Sequence, residues 1–232
     1  MNQTWLPIYT DQPFSGYLSL PPSGQGPGIV LIQEIWGVNE HIRTVADQYA
    51  LAGFVVLAPD VFWRLTPRLS LNYDEEGNAK AFECYSNVDL DLAQQDMVTA
   101  VQTLKSRPEV TGKVAVMGYC LGGMLAYRTA TATDVDATVC YYGGGIAKYL
   151  DAASRISAPI LFHHGALDEH IPTADVQHIK QTFADNPLAT FYDYPEAGHG
   201  FNCWGRPYMY HQPSAPLAQG RTLMFLAKQL YS

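Results

Sequence analysis

Short apolar runs alternate along the chain with longer stretches in which apolar residues recur every three or four positions. An apolar run of four to eight residues bounded by turn residues marks a strand buried on both faces, whereas the longer period marks an amphipathic helix. Runs of the first kind cover Gly28 to Gln33, Phe54 to Ala58, Lys113 to Met117, Ala137 to Tyr142, Pro159 to His163 and Thr190 to Tyr194. Stretches of the second kind fall at about Asn39 to Ala52, Asp89 to Ser106, Leu121 to Thr131, Thr173 to Phe183 and Ala215 to Leu230. Asn39 and Asp89 are positioned as N-caps, and Pro108 as a stop signal after the second helix. This alternation predicts an α/β fold, a mostly parallel central sheet with helices on both faces.

Two regions depart from the pattern. The first twenty residues, ending in Tyr17-Leu18-Ser19-Leu20 before Pro21-Pro22, are expected to form an antiparallel edge hairpin leading into the sheet. Phe62 to Val88 has weak periodicity and mixes charged residues with Pro67 and Gly77, so it is expected to be a long surface excursion, a common form of lid. No repeat, low-complexity tract or linker divides the sequence, and residues 1–232 are expected to form a single domain.

Composition narrows the function. With 47% hydrophobic and 16% charged residues the chain has the make-up of a globular protein. Its formal net charge of −8, without clustered cations, argues against nucleic acid as a partner. No stretch approaches the roughly 18 apolar residues of a spanning helix, and Met1 to Pro7 lacks a basic start followed by an apolar run. A cytoplasmic location and no membrane association are expected. Cys84, Cys120, Cys140 and Cys203 show no C-x-x-C pairing, so reduced thiols are expected.

The most informative segment is Lys113-Val114-Ala115-Val116-Met117-Gly118-Tyr119-Cys120-Leu121-Gly122-Gly123. A strand pattern ends in Gly-x-Cys-x-Gly and passes directly into a helix pattern, the context of a nucleophile elbow with cysteine in place of the usual serine. The glycines answer a steric need, because a sharp strand-to-helix turn strains the central residue and leaves no room for flanking side chains. Cys120 would stand at a helix N-terminus, where the dipole favours a thiolate and the Leu121 N–H can face an oxyanion. A thiol with a normal pKa of about 8.5 still needs a base. On such folds the partners follow in the order acid, then histidine. Asp168 and His199 each lie just after a strand candidate, on the side where open parallel sheets place their sites. Each residue also has a purely structural use: Cys120 as a small buried side chain, Asp168 in a turn, His199 in a loop.

The chain resembles the dienelactone hydrolases, also called carboxymethylenebutenolidases. The matching elements are Gln33-Glu34-Ile35-Trp36-Gly37, Ala58-Pro59-Asp60, Gly118-Tyr119-Cys120-Leu121-Gly122-Gly123, Tyr141-Tyr142-Gly143, His164-Gly165 with Asp168, and Ala197-Gly198-His199-Gly200-Phe201. The resemblance implies the α/β-hydrolase fold, a Cys120-His199-Asp168 triad, and an oxyanion hole from the N–H groups of Leu121 and Ile35. It implies hydrolysis of a small ester or lactone through a thioester without a cofactor. It also implies that Glu34 contacts the resting thiol, where its charge opposes thiolate formation, and moves away when substrate binds.

The sequence departs from the family pattern at the arginines that bind a substrate carboxylate. Cys203 stands four residues after the predicted catalytic histidine, where one is expected, Arg206 is the nearest arginine downstream, and near Asn78 and Lys80 the second has no counterpart. Trp36, Phe82, Tyr85, Phe201 and Trp204 instead surround the expected site, which favours a more apolar ester or lactone. Two other readings stand beside this one. His163, His164, His170, His199 and Asp168 are numerous enough to ligate zinc, although His163 and His164 would point to opposite faces of a strand and no H-E-x-x-H spacing occurs. Cys120 could also serve as an oxidisable sensor thiol on a non-catalytic protein. The sequence leaves monomer and dimer open.

Overall fold

The computed structural model describes residues 3–9, 12 and 14–232. In chain order the elements are β1 (Gln3–Ile8), β2 (Phe14–Ser19), β3 (Gly26–Ile32), α1 (Glu40–Leu51), β4 (Val55–Pro59), α2 (Glu75–Asn87), α3 (Leu90–Lys105) and β5 (Val110–Tyr119). They continue with α4 (Leu121–Ala130), β6 (Ala137–Tyr141), a 3-10 helix (Ile146–Arg155), β7 (Ile160–Gly165), α5 (Thr173–Thr182), β8 (Ala189–Tyr194) and α6 (Ser214–Leu230). The eight strands form one sheet in the order β1-β2-β4-β3-β5-β6-β7-β8. β1 pairs antiparallel with β2 and β2 with β4, while every other pairing is parallel. The expected N-terminal hairpin is therefore present at the sheet edge, with part of its turn outside the described residues.

The apolar runs are continuous because the sheet is covered on both sides. Every position of β3, β4, β6 and β7 is buried. Along β3 the side chains alternate: Val30 and Ile32 join the core under α3 and α4, and Ile29 and Leu31 join the core under α1 and α6. Helix starts follow the predicted caps, with Asn39 Oδ1 accepting from the Ile42 N–H at 3.2 Å and Asp89 Oδ1 accepting from Asp91 and Leu92 N–H at 2.9 and 3.0 Å.

The Phe62 to Val88 excursion is more ordered than its pattern predicts, because it contains α2. Asp74 caps that helix by accepting from the Gly77 N–H at 2.8 Å. Its buried positions are Gly77, Ala81 and Cys84, a helical stripe of small residues. The large residues Phe82 and Tyr85 face outward, 55% and 45% exposed. The usual apolar signal is therefore inverted, which is why periodicity does not find this helix. The 3-10 helix after β6 was not predicted either.

Sheet order positions the site. The chain adds β4 on one side of β3 and then β5 on the other, so the loops after β3 and β5 diverge at a topological switch point. Glu34 and Ile35 leave β3 there, and Cys120 leaves β5.

Candidate active site

Cys120 separates β5 from α4 with φ 56° and ψ −116°, a backbone conformation that a side chain tolerates only under constraint. The constraint is visible. The Cys120 N–H donates to Tyr141 O at 3.0 Å, and Cys120 O accepts from Gly123 and Met124 N–H at 3.0 and 3.2 Å. A Cβ on Gly118 would sit 2.2 Å from Gly122 O, and one on Gly122 would sit 2.2 Å from Ile32 O. Both glycines are thus required where β5, β3 and α4 cross at backbone contact distance. All ten residues of α4 are buried, which anchors the turn. The strained sulfur bearer remains partly exposed.

Asp168 follows β7 and His199 follows β8. Asp168 Oδ1 accepts from His170 and Ile171 N–H at 2.8 and 3.2 Å, which fixes the carboxylate, and Oδ2 lies 2.8 Å from His199 Nδ1. Both side chains are buried. With Nδ1 occupied, Nε2 is left for the cavity that His199 and Cys120 both line. Burial by itself would lower the His199 pKa. The charges and hydrogen bonds of Cys120 and Asp168 outweigh burial and lift it to about 10. The ring is held between Tyr142 and His170, each edge-on at 5.1 and 4.8 Å.

These groups open on a cavity of about 410 Å³. Ile35, Trp36, Phe82, Tyr85, Cys120, Leu121 and His199 all line it. Phe201 does not: it is fully buried against Tyr142 and Tyr194 and supports the histidine loop from below. Trp204 packs on His41 at 5.1 Å and faces a separate cleft beside Tyr119 and Tyr210. Both lie a few residues beyond His199, where the loop has already turned away from the cavity. Trp36 is fixed by donating from Nε1 to Asn78 Oδ1 at 2.9 Å, which places α2 over the site.

The resemblance implied a contact between Glu34 and the thiol; the hydrogen-bond partner that the structure gives Glu34 is Arg206. Glu34 Oε1 accepts from Arg206 Nη2 at 2.5 Å, and Oε2 has no hydrogen-bond partner among the described residues. Both side chains are almost fully buried. A buried carboxylate gains more from a guanidinium than from a neutral thiol, since the guanidinium brings a full opposite charge and strong N–H donors, whereas S–H is a weak donor. Burial opposes the Arg206 charge, but Glu34 and Cys203 more than compensate and hold its pKa above the usual arginine value. The guanidinium also stacks over Trp36 at 4.4 Å. Arg206, Lys148, His170 and Asp175 line the cavity without having been predicted to do so. Arg206 lies three residues beyond the position where the family pattern places an arginine, a displacement that only the loop path shows. The zinc set considered from sequence does not gather, because His163 engages Tyr194 and Thr222 through its two ring nitrogens at 2.8 and 2.9 Å.

A mostly parallel eight-stranded sheet with helices on both faces, and a strained residue on a glycine-flanked turn at the strand C-termini, defines the α/β-hydrolase fold. The sequence profile of the dienelactone hydrolase family matches residues 14–230, and the chain belongs to that family as a dienelactone hydrolase-like hydrolase. It is 34% identical over 220 residues to a carboxymethylenebutenolidase of Pseudomonas putida, covering 94% of this chain and 93% of the relative. It is 35% identical over 216 residues to the carboxymethylenebutenolidase of Pseudomonas sp. strain P51, covering 93% and 90%. A crystallised candidate dienelactone hydrolase from Klebsiella pneumoniae subsp. pneumoniae MGH 78578 superposes with a TM-score of 0.85 at 26% identity, covering 97% of this chain and 98% of that one. No described helix is long and apolar enough to cross a membrane.

Proposed function

We propose that this chain hydrolyses small esters or lactones through a thioester on Cys120. The observation that carries the proposal is the relay at the cavity wall. A strained elbow cysteine lines the same cavity as His199, whose Nδ1 is bonded to a fixed, buried carboxylate. His199 takes the thiol proton, and the resulting thiolate is favoured by the N-terminus of α4 and by the imidazolium. The sulfur attacks the acyl carbonyl, and the tetrahedral oxyanion is received by the Leu121 and Ile35 N–H groups, both at the same cavity. Collapse expels the alkoxide, which takes its proton from His199, and leaves the thioester. His199 then deprotonates a water, which attacks the thioester and regenerates the thiol, while Asp168 keeps the ring oriented and stabilises its charged form. Losing one oxyanion donor would raise the barrier by roughly 3 to 4 kcal/mol.

Trp36, Phe82 and Tyr85 supply apolar walls for the substrate, while Lys148, Asp175 and the Glu34-paired Arg206 put charges of both signs at the same cavity. The names of the relatives point to lactones. A cytoplasmic setting suits the thiol, and all four cysteines are free. The test is a panel of p-nitrophenyl esters and small lactones assayed with wild type, Cys120→Ala and His199→Ala. Hydrolysis by wild type and its loss in both variants is the expected result. Hydrolysis by Cys120→Ala at the wild-type rate would sink the proposal.

A further inference from the structure

Three side chains that the reaction does not use as nucleophile or base meet beside the Glu34–Arg206 pair. Glu34 from the loop after β3, His41 from the first turn of α1 and Cys203 from the loop after β8 each offer a ligand atom, and these atoms lie within 4.8 Å of one another. Their relative exposures are 1%, 1% and 0%. Burial of this kind normally comes with hydrogen bonds, yet among the described residues both ring nitrogens of His41 and Oε2 of Glu34 have no hydrogen-bond partner. An imidazole with two idle nitrogens, facing an idle carboxylate oxygen and a thiol, is poorly explained by packing alone.

We propose that Glu34, His41 and Cys203 bind one divalent transition-metal ion, zinc before others, at a site separate from Cys120, His199 and Asp168. A thiolate, an imidazole and a carboxylate together suit an ion of borderline softness and disfavour magnesium or calcium, which prefer all-oxygen shells. Zinc bonds of about 2.0 to 2.3 Å put tetrahedral ligand atoms about 3.3 to 3.6 Å apart, so the observed spread closes with rotamer adjustment of about an ångström. Supporting contacts are already in place. Arg206 holds Oε1 of Glu34 and leaves Oε2 for the ion, Tyr73 Oη lies 3.4 Å from Cys203 Sγ, and Trp204 fixes the His41 ring edge-on at 5.1 Å. On binding, the Cys203 thiol loses its proton to solvent, and thiolate and carboxylate together offset most of the charge of the ion and of Arg206. Three protein ligands leave the fourth position to water. The ion would tie the loop bearing Ile35 to the loop bearing His199, so occupancy would stiffen the two walls of the cavity. None of this depends on the ester or lactone reading.

The test uses the full chain, stripped with a strong chelator and then titrated with zinc against a chromophoric competitor and, separately, with cobalt(II). The expected result is one equivalent of tightly bound zinc, a sulfur-to-cobalt charge-transfer band with tetrahedral d–d absorption, and a raised melting temperature. Cys203→Ala and His41→Ala should each weaken zinc binding at least about 100-fold and remove or reshape the cobalt spectrum, while Cys120→Ala keeps both. Cys203→Ser and His41→Gln, closer in volume, run beside them with circular dichroism to separate lost ligation from lost fold. Absence of stoichiometric binding would overturn the site. So would a cobalt band that survives in the folded Cys203 and His41 variants or disappears in Cys120→Ala, because the metal would then lie on the nucleophile.

Discussion

Replacing Asp168 with asparagine separates what that carboxylate does for the fold from what it does for His199. Its Oδ1 accepts from two backbone N–H groups, a role that the asparagine carbonyl oxygen retains, so the turn after β7 should persist. Its Oδ2, 2.8 Å from His199 Nδ1, would become an amide nitrogen. Two donors cannot face each other, so the neutral ring adopts the tautomer with its proton on Nε2, where it can no longer accept one from Cys120. The gap between the ordinary histidine value of 6.5 and about 10 represents roughly 5 kcal/mol of preference for the charged ring, at about 1.4 kcal/mol per pH unit. A hydrogen bond to a charged group accounts for about 1.5 to 3 kcal/mol of such a preference, or about one to two pH units. Because the folded pKa is raised, the stabilisation is complete below pH 6.5 and disappears as pH rises through about 10. The departing alkoxide takes its proton from charged His199, so the wild-type pH–rate profile for kcat/KM should fall on its alkaline side near 10. In Asp168→Asn that limb should move down by about one to two units, and kcat/KM at neutral pH should drop about 10- to 100-fold or more, with the melting temperature little changed. An Asp168→Asn profile superimposable on that of wild type would refute the argument.

Other perturbations test the scaffold and the cavity. Gly122→Ala drives a Cβ to 2.2 Å from Ile32 O, so denaturant unfolding should show a loss of about 2 kcal/mol or more. Gly220→Ala on α6, where a Cβ meets nothing within 4 Å, should instead gain about 0.5 to 1 kcal/mol in the same experiment. Glu34→Gln strips the buried Arg206 of its counter-charge and should cost roughly 3 to 5 kcal/mol, measured by urea titration; an unchanged midpoint would mean that Arg206 finds water. Phe82→Ala removes an outward-facing ring of α2 and should leave stability within about 0.5 kcal/mol of wild type. Its KM for an apolar p-nitrophenyl ester should rise about fivefold, for about 1 kcal/mol of lost apolar contact, and an unaltered KM would show that α2 does not touch substrate.

Although the edge strand β8 and helix α5 bury little, the strands and five of the six α-helices among the described residues were legible because most bury a continuous run or an amphipathic stripe against the same sheet. Their predicted ends are within a few residues of the observed ones, and Asn39 and Asp89 cap where their side chains predict. Helix α2 was not legible, because a buried face of Gly77, Ala81 and Cys84 with Phe82 and Tyr85 on the outside reverses the pattern that marks a helix. At the site, the Gly-x-Cys-x-Gly elbow could be read because its glycines answer a purely local steric demand. The cavity placement of Trp36, Phe82 and Tyr85 agrees with the sequence expectation, whereas Phe201 and Trp204 are turned elsewhere by the path of the loop after His199.

What the sequence by itself determined is the order of elements, the strained cysteine and the two strand-end positions of Asp168 and His199, since these follow from short-range periodicity and turn chemistry. What only tertiary structure decided is which charges meet. Glu34 and Arg206 are 172 positions apart, yet they share a buried ion pair, and His41 and Cys203 join them from a helix and a distant loop. The physical reason is that pairing of buried charged and polar groups is set by where desolvation forces partners together. That is a property of the packed loops at the sheet's carboxyl edge and leaves no period in the chain.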